Sequence, residues 1–301
     1  MIYAHNHPES KKSKAYKRIL KLMGANKKLH FELETGRFIG KKPAHLHKAH
    51  YEEFNIDIHK VEGRDVYTLG PKSESDLIVL YLHGGAFVHN LLRVHWNMIF
   101  DLIRKTGATF VVPDYPLAPD SHYWFVYQMV GLVYDDIVND LGDKHFVAMG
   151  DSAGGGLALG LLQKKRDEGA KKLAQVVMLS PWLDLTMLNP EAKEVEGHDI
   201  LLKVEGLRRA GALYAGDDSA KEPMISPLFG SCKGLGTISF FSSSDDVLVA
   251  DSHALVKKLE QENIPFNYYE YPKMFHGWMT IVGMEESQSA LHQIAELITN
   301  Q

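Results

Sequence analysis

The stretch Val147–Gly156, V-A-M-G-D-S-A-G-G-G, restricts this chain more than any other. An apolar run breaks at Gly150, a hydroxyl stands at Ser152, and three glycines lead into L-A-L-G-L-L. This is the layout of a buried strand, a very tight turn and a buried helix, with a serine at the apex. Gly150 and Gly154 lack a Cβ, so the turn can be sharp and the helix can approach the strand closely. The helix aims its amide dipoles at the turn, which favours negative charge developing there. The pattern Gly-x-Ser-x-Gly in this context is a nucleophile elbow, which lifts a serine hydroxyl to the edge of a sheet. A reactive serine needs a base, an acid to orient that base, and donors for an oxyanion, so the rest of the chain must supply them.

With 301 residues the chain is long enough for one large α/β domain or two modest ones, and 45% hydrophobic against 24% charged residues excludes disordered and fibrous classes. No apolar run approaches the ~20 residues of a membrane span. The opening M-I-Y-A-H-N-H-P-E-S has no apolar core or cleavage site, and Cys232 is alone, so the expected compartment is a reducing cytoplasm. Cys232 lies in S-C-K-G-L-G without a partner motif, which argues against catalysis. The net charge of −5 hides an asymmetry: residues 1–50 hold twelve Lys/Arg against three acids, +9, leaving −14 for residues 51–301. Within the basic arm Ala15, Ile19, Leu22 and Met23 fall at helical spacing. Such a stripe is expected to pack on the main domain, with contact to an anionic lipid surface as the alternative. His45, His47 and His50 read as solvated histidines, because no carboxylate or cysteine at ligand spacing joins them.

Residues 1–50 otherwise read as helices and loops. From Tyr51 the period changes to two: F-N-I-D-I-H and D-V-Y-T-L form an expected hairpin across V-E-G-R. L-I-V-L-Y-L is the continuous apolar run of a buried parallel strand and stops at His83-Gly84-Gly85-Ala86. A helix about Leu92–Thr106, strand A-T-F-V-V, a helix near Trp124–Asn139, the elbow strand and its helix to about Glu168, and strand L-A-Q-V-V-M-L-S follow. This alternation predicts a doubly wound, mostly parallel sheet flanked by helices. Residues 183–225 break the rhythm and read as an insertion after the sixth strand. Strand T-I-S-F-F-S, a helix to about Asn263, strand F-N-Y-Y-E-Y and a final amphipathic helix complete the chain.

The oxyanion donors are expected just past the third strand, where Gly84 and Gly85 let backbone N–H groups turn toward a small anion, and from Ala153 directly after the serine. His83 reads as a hydrogen-bonder that fixes this loop. Acid and base should follow in the order Ser, Asp/Glu, His. Asp245, Asp246 and Asp251 come after one late strand, and His276, alone among sixteen histidines, follows the next strand and precedes a glycine. Asp251 reads as the N-cap of its helix.

These motifs resemble the hormone-sensitive-lipase-like esterase family of the α/β-hydrolase fold. The resemblance covers roughly residues 50–301 and rests on H-G-G-A at 83–86, D-Y-P-L-A-P at 114–119, G-D-S-A-G-G at 150–155, S-P-W-L-D-L at 180–185, S-P-L-F at 226–229 and F-H-G-W at 275–278. It implies Ser152 as nucleophile, His276 as base, Asp246 rather than Asp245 as acid, and an oxyanion hole of Gly85, Ala86 and Ala153. It also implies a cap, from residues 1–50 and 183–225, over a core of 51–182 and 226–301. Three departures stand out: Ala86 where the family has a third glycine, Pro116 where it has arginine, and Val247 where proline commonly follows the acid. None removes a catalytic atom.

The expected reaction is hydrolysis of short- to medium-chain acyl esters through an acyl-enzyme, with no cofactor and no metal. The expected partner is a small-molecule ester, with no nucleic acid, no integral membrane association, and a homodimer left open. Met187, Leu188, Leu201, Leu207 and Tyr214 are candidates for an acyl pocket or for the core of the cap. Amide hydrolysis by the same residues, and an inactive hydrolase fold used as a small-molecule receptor, are the alternatives.

Overall fold

Apolar runs with no polar face can be buried only by cover on both sides, and here they become the interior strands of one sheet. The computed structural model describes residues 1–299 apart from 25–26, 28–30, 33–34, 37, 39–40 and 171–173. In chain order the elements are β1 (Ile2–Ala4), α1 (Lys11–Leu22), α2 (Lys48–Glu53), β2 (Asn55–Val61), β3 (Arg64–Gly70), β4 (Leu77–Leu82), α3 (Arg93–Thr106), β5 (Thr109–Pro113), α4 (Tyr123–Asn139) and β6 (His145–Asp151). They continue with α5 (Ala153–Asp167), β7 (Gln175–Leu179), α6 (Pro190–Val195), α7 (Val204–Ala215), β8 (Ile238–Ser243), α8 (Val249–Gln261), β9 (Phe266–Tyr271) and α9 (Glu285–Thr299). Leu173, at the start of the strand expected before Ser180, lies outside the described residues.

The strand order is β1-β9-β8-β7-β6-β4-β5-β3-β2, parallel from β1 to β5 and antiparallel at β3 and β2. This is the doubly wound, mostly parallel sheet expected from the alternation of strands and helices. The β2–β3 hairpin turns at Glu62 and Gly63, both left-handed (φ 49° and 74°), as a two-residue turn between right-twisted strands demands. β4 lies between β5 and β6, so the chain reverses its winding there, and ligands collect at such a point outside the strand ends. Leu82 is in register with Gly150, so the loop after β4 and the turn after β6 leave the sheet side by side.

Alternate residues of each strand enter opposite layers. Leu80, Leu82 and Ala148 pack with Val130 of α4, Leu157 of α5 and Leu255 of α8. Val79, Tyr81, Val147 and Met149 pack with Trp96 and Ile99 of α3 and with Leu291 and Ile294 of α9. The 183–225 segment contributes α6 and α7 and no strand among its described residues. It is fastened to the core by polar contacts: His253 of α8 bridges Glu191 (2.5 Å) and Glu270 (3.0 Å), and hydrogen bonds to those two carboxylates raise its pKa.

Three expectations need correction. The 1–50 segment holds a strand as well as helices, for β1 pairs with β9 at the sheet edge (Ile2↔Tyr268 to Ala4↔Glu270); three residues are too few to display a period. The apolar stripe of α1 does not pack on the domain: Ile19, Leu22 and Met23 are 52%, 88% and 75% exposed. Polar contacts orient that helix instead. Ser10 caps it and binds Glu286 through N–H (2.6 Å) and hydroxyl (2.9 Å), Lys12 and Lys17 donate to the carbonyls of Gly283 and Lys273, and Ser13 is buried. Asp251 is not an N-cap. It lies inside the first turn of α8, buried, and its Oδ2 accepts the N–H groups of Leu183 (2.8 Å) and Asp184 (2.9 Å), so it anchors the start of the insertion.

Candidate active site

The turn between β6 and α5 is as tight as its glycines allow. A Cβ on Gly150 would stand 2.6 Å from the Leu82 carbonyl oxygen, and one on Gly154 would stand 2.5 Å from that of His83. Both glycines are therefore required by the closeness of β4, as well as by the turn. Ser152 itself is held at φ 53°, ψ −123°, a backbone region that costs a residue with a side chain of order 1–3 kcal/mol. The surroundings enforce it: Ser152 N–H donates to Leu179 O (2.8 Å), and Ser152 O accepts from Trp182 N–H (2.9 Å) and Gly155 N–H (3.1 Å).

His276 and Asp246 arrive from the loops after β9 and β8, whose parallel register brings both to the same sheet edge. The Ser152 hydroxyl meets His276 Nε2 at 2.9 Å, and His276 Nδ1 meets Asp246 Oδ2 at 2.8 Å. The neutral tautomer that fits carries its proton on Nδ1, donated to the carboxylate, and leaves Nε2 free to accept from serine. Asp246 is fully buried, and its other oxygen accepts Leu248 N–H (3.0 Å). Burial pulls the His276 pKa down, but the facing Asp246, by charge and hydrogen bond, and then Asp199 and Asp151 lift it above its ordinary value. The carboxylate that meets the imidazole is that of Asp246, whereas Asp245 accepts the Ser244 hydroxyl locally (3.2 Å).

Asp199 was not visible as a site residue in the sequence. This buried side chain of the insertion accepts Leu201 N–H (2.7 Å) and Leu202 N–H (2.8 Å) on one oxygen and Val247 N–H (2.9 Å) on the other. It therefore ties the residue after the candidate acid to two leucines of the cavity wall. Burial, and then the charge of Asp246, raise its pKa to about 6. Nothing in E-G-H-D-I-L-L announces this, because the contact joins residues 48 positions apart.

The loop after β4 is braced from below. Asp151, between Gly150 and Ser152, accepts Gly84 N–H (2.8 Å) and the Tyr81 hydroxyl, and His95 Nε2 lies 3.4 Å from its other oxygen. Burial pushes this carboxyl up, but His95, Tyr81 and Gly84 outweigh it and hold the pKa down at about 2. An acidic residue inside the elbow was the available signal for this brace. His83 behaves as a loop-fixer: it stacks on Tyr115 (4.2 Å, 9°), its carbonyl accepts the Tyr115 hydroxyl (2.5 Å), and burial drops its pKa to about 3, leaving it neutral. Gly85 and Ala86 border the same cavity as Ser152, and Ala86 holds a left-handed φ of 52°. Ala153 is the first residue of α5, next to the serine.

The cavity over Ser152 and His276 has a volume of about 530 Å³. Its walls are largely apolar, with Leu201, Leu202 and Leu207 from the insertion, Leu20 from α1 and Ile281 from the loop after β9. Of the expected pocket residues only Leu201 and Leu207 line it. Met187 accepts the Trp182 indole N–H, Tyr214 stacks on Phe87 at 3.6 Å in the core, and Leu188 is 65% exposed. The His45–His50 cluster serves helix α2: His50 Nδ1 accepts His47 N–H (3.3 Å), and its ring packs on Phe100 at 4.1 Å. No helix among the described residues is long and apolar enough to cross a membrane.

Comparisons with known proteins agree with this fold. The family model described as "alpha/beta hydrolase fold" matches residues 79–280, which contain Gly85, Ala86, Ser152, Ala153, Asp246 and His276. An esterase of Acinetobacter venetianus is 30% identical over 226 residues, 74% of this chain and 75% of that protein. An acetyl-hydrolase of Streptomyces hygroscopicus is 30% identical over 223 residues, 71% of this chain and 75% of its own. The crystal structure of an esterase/lipase from an uncultured bacterium superposes with a TM-score of 0.82 at 26% identity, covering 97% of this chain and 98% of that one. An esterase from the bacterial hormone-sensitive lipase family shares the fold, with a TM-score of 0.84 at 22% identity over 98% of this chain and 99% of that one. The chain thus belongs to the α/β-hydrolase fold family and, within it, is a carboxylester hydrolase related to esterases and acetyl-hydrolases.

Proposed function

We propose that the chain hydrolyses short- to medium-chain acyl esters with Ser152 as nucleophile, His276 as general base and acid, and Asp246 as the orienting carboxylate. The unbroken hydrogen-bond relay from Ser152 through His276 to Asp246 carries this reading. Ser152 Oγ attacks the ester carbonyl while its proton passes to His276 Nε2; Asp246 holds the tautomer and stabilises the imidazolium. The oxyanion is received by the N–H groups of Gly85, Ala86 and Ala153, each worth about 3 kcal/mol in the transition state. His276 then protonates the departing alkoxide. A water deprotonated by the same imidazole releases the acid and restores Ser152.

Residues 1–50, beyond the strand they lend to the sheet, and 183–225 act as the cap over a core of 51–182 and 226–301. A cavity of about 530 Å³ walled by leucines suits a small apolar acyl group. A fluorophosphonate label read by peptide mass, followed by rates on an aryl-ester chain-length series, tests the assignment. Label on Ser152 alone and activity abolished in Ser152→Ala are expected. Label elsewhere, or full activity in that variant, would refute the reading.

A further inference from the structure

Helix α1 presents a face that the catalytic reading leaves unused. Ala15, Ile19, Leu22 and Met23 share it at helical spacing, and Ile19, Leu22 and Met23 stand 52%, 88% and 75% exposed, with Tyr16 beside them at 39%. Lys11, Lys14, Arg18 and Lys21 are also exposed, and among the described residues none of the four has an ion-pair or hydrogen-bond partner. The helix is nevertheless held firmly, by its Ser10 cap, the Ser10–Glu286 bonds and the two lysines that donate to core carbonyls. Its other side carries Leu20 into the wall of the cavity over Ser152. The exposed apolar face and its free cations therefore sit on the element that borders the candidate active site.

Charge decides what could cover this face. Residues 1–50 carry +9 while residues 51–301 carry −14, so the chain turns a basic arm toward any anionic surface and repels it elsewhere. A second copy docked face to face would set one row of free cations against another. An amphipathic helix with apolar side chains on one face and lysine or arginine along its flank is built to lie in the headgroup layer of a membrane. We propose that α1 is an interfacial helix that seats Ile19, Leu22 and Met23 in an anionic phospholipid surface. Lys11, Lys14, Arg18 and Lys21 then lie at headgroup level, and the cavity rim is held against the lipid. Esters dissolved in the lipid would thus reach Ser152 without crossing bulk water.

Co-sedimentation with vesicles tests this, using equal parts phosphatidylglycerol and phosphatidylcholine against phosphatidylcholine alone. The parent chain is expected to bind the anionic vesicles only, and less as salt is raised. Lys14→Gln with Arg18→Gln should lower the partition coefficient about thirtyfold. Leu22→Ser with Met23→Ser should lower it roughly tenfold or more. Neither pair lines the cavity, so both should hydrolyse a water-soluble acetate ester like the parent. The Ser152→Ala chain should bind vesicles as the parent does, which separates failure of this proposal from failure of the catalytic reading. No binding by the parent, equal binding to neutral vesicles, or unchanged binding by the variants would overturn it. So would a dimer in light scattering that Leu22→Ser with Met23→Ser dissociates, since the face would then belong to a second copy.

Discussion

Gly154→Ala isolates the closeness of α5 to β4 from every other property of the elbow. The added methyl would stand 2.5 Å from the His83 carbonyl oxygen and nearer still to that of Leu82. Carbon atoms in comfortable contact sit at about 3.5 Å, so the helix start and the strand end must part by more than about 1 Å. Both obstacles are backbone carbonyls, which cannot rotate away as a side chain would, so the cost falls at the upper end of overpacking, about 3 kcal/mol. For a chain of this size that corresponds to a fall in Tm of about 5 °C. The same displacement moves Ser152, two residues before the glycine, away from the loop that follows Leu82. A 1 Å error between nucleophile and oxyanion donors costs about a hundredfold in kcat/KM. Scanning calorimetry and initial rates on an aryl acetate measure the two effects on one preparation. Gly197→Ala, where no atom lies within 4 Å of the added carbon, serves as the control and should change neither. A Gly154→Ala chain with Tm within about 1 °C and kcat/KM within about twofold of the parent would refute the argument.

Neutral His276 is the competent base, and its pKa is raised above the ordinary 6.5, so kcat/KM should fall as pH drops through a value above that figure. Asp246→Asn should move that limb to lower pH and cut kcat by about 10⁴; a pH–rate profile with an unmoved limb would contradict the pairing. Asp199→Asn removes a negative charge that also raises His276, and replaces one of its two acceptor oxygens by a donor. The acid limb should move down in pH and KM should rise with the loosened leucine wall, whereas a purely structural role would leave the limb where it is. Burial raises Asp251 to about 8 from 3.8, against the pull of the Asp184 and Leu183 N–H groups, so the folded chain holds a proton there that the unfolded chain has lost. Stability contributed by this group therefore declines as pH rises across that window. Asp251→Asn retains an acceptor for both N–H groups and should flatten the decline, read as urea midpoints at about pH 5 and about pH 9.

Local chemistry decided a large part of this protein. Apolar runs long enough for strands but with no polar face could only be interior strands of a covered sheet, and their alternation with helices set the winding. Gly150 and Gly154 announced a close approach before β4 was known to be the neighbour. Chain order singled out His276 and the 83–86 loop, because the partners of an elbow serine come from strand ends that the sheet places at one edge; it left Asp245 and Asp246 as acids, and the family resemblance chose between them. What stayed hidden depends on contacts between distant segments. Asp151 under Gly84, Asp199 against Val247 and Asp251 under Leu183 are each an ordinary acid in sequence, and only their burial beside particular backbone N–H groups gives them a task. Strand β1 was too short to show a period and exists because β9 leaves an open edge. The direction in which α1 faces was decided the same way. Its apolar stripe is plain in the sequence, but hydrogen bonds of Ser10, Lys12 and Lys17 to the far end of the chain turn that stripe outward. Periodicity reports that a helix has two faces; which one meets the protein depends on the partners waiting there.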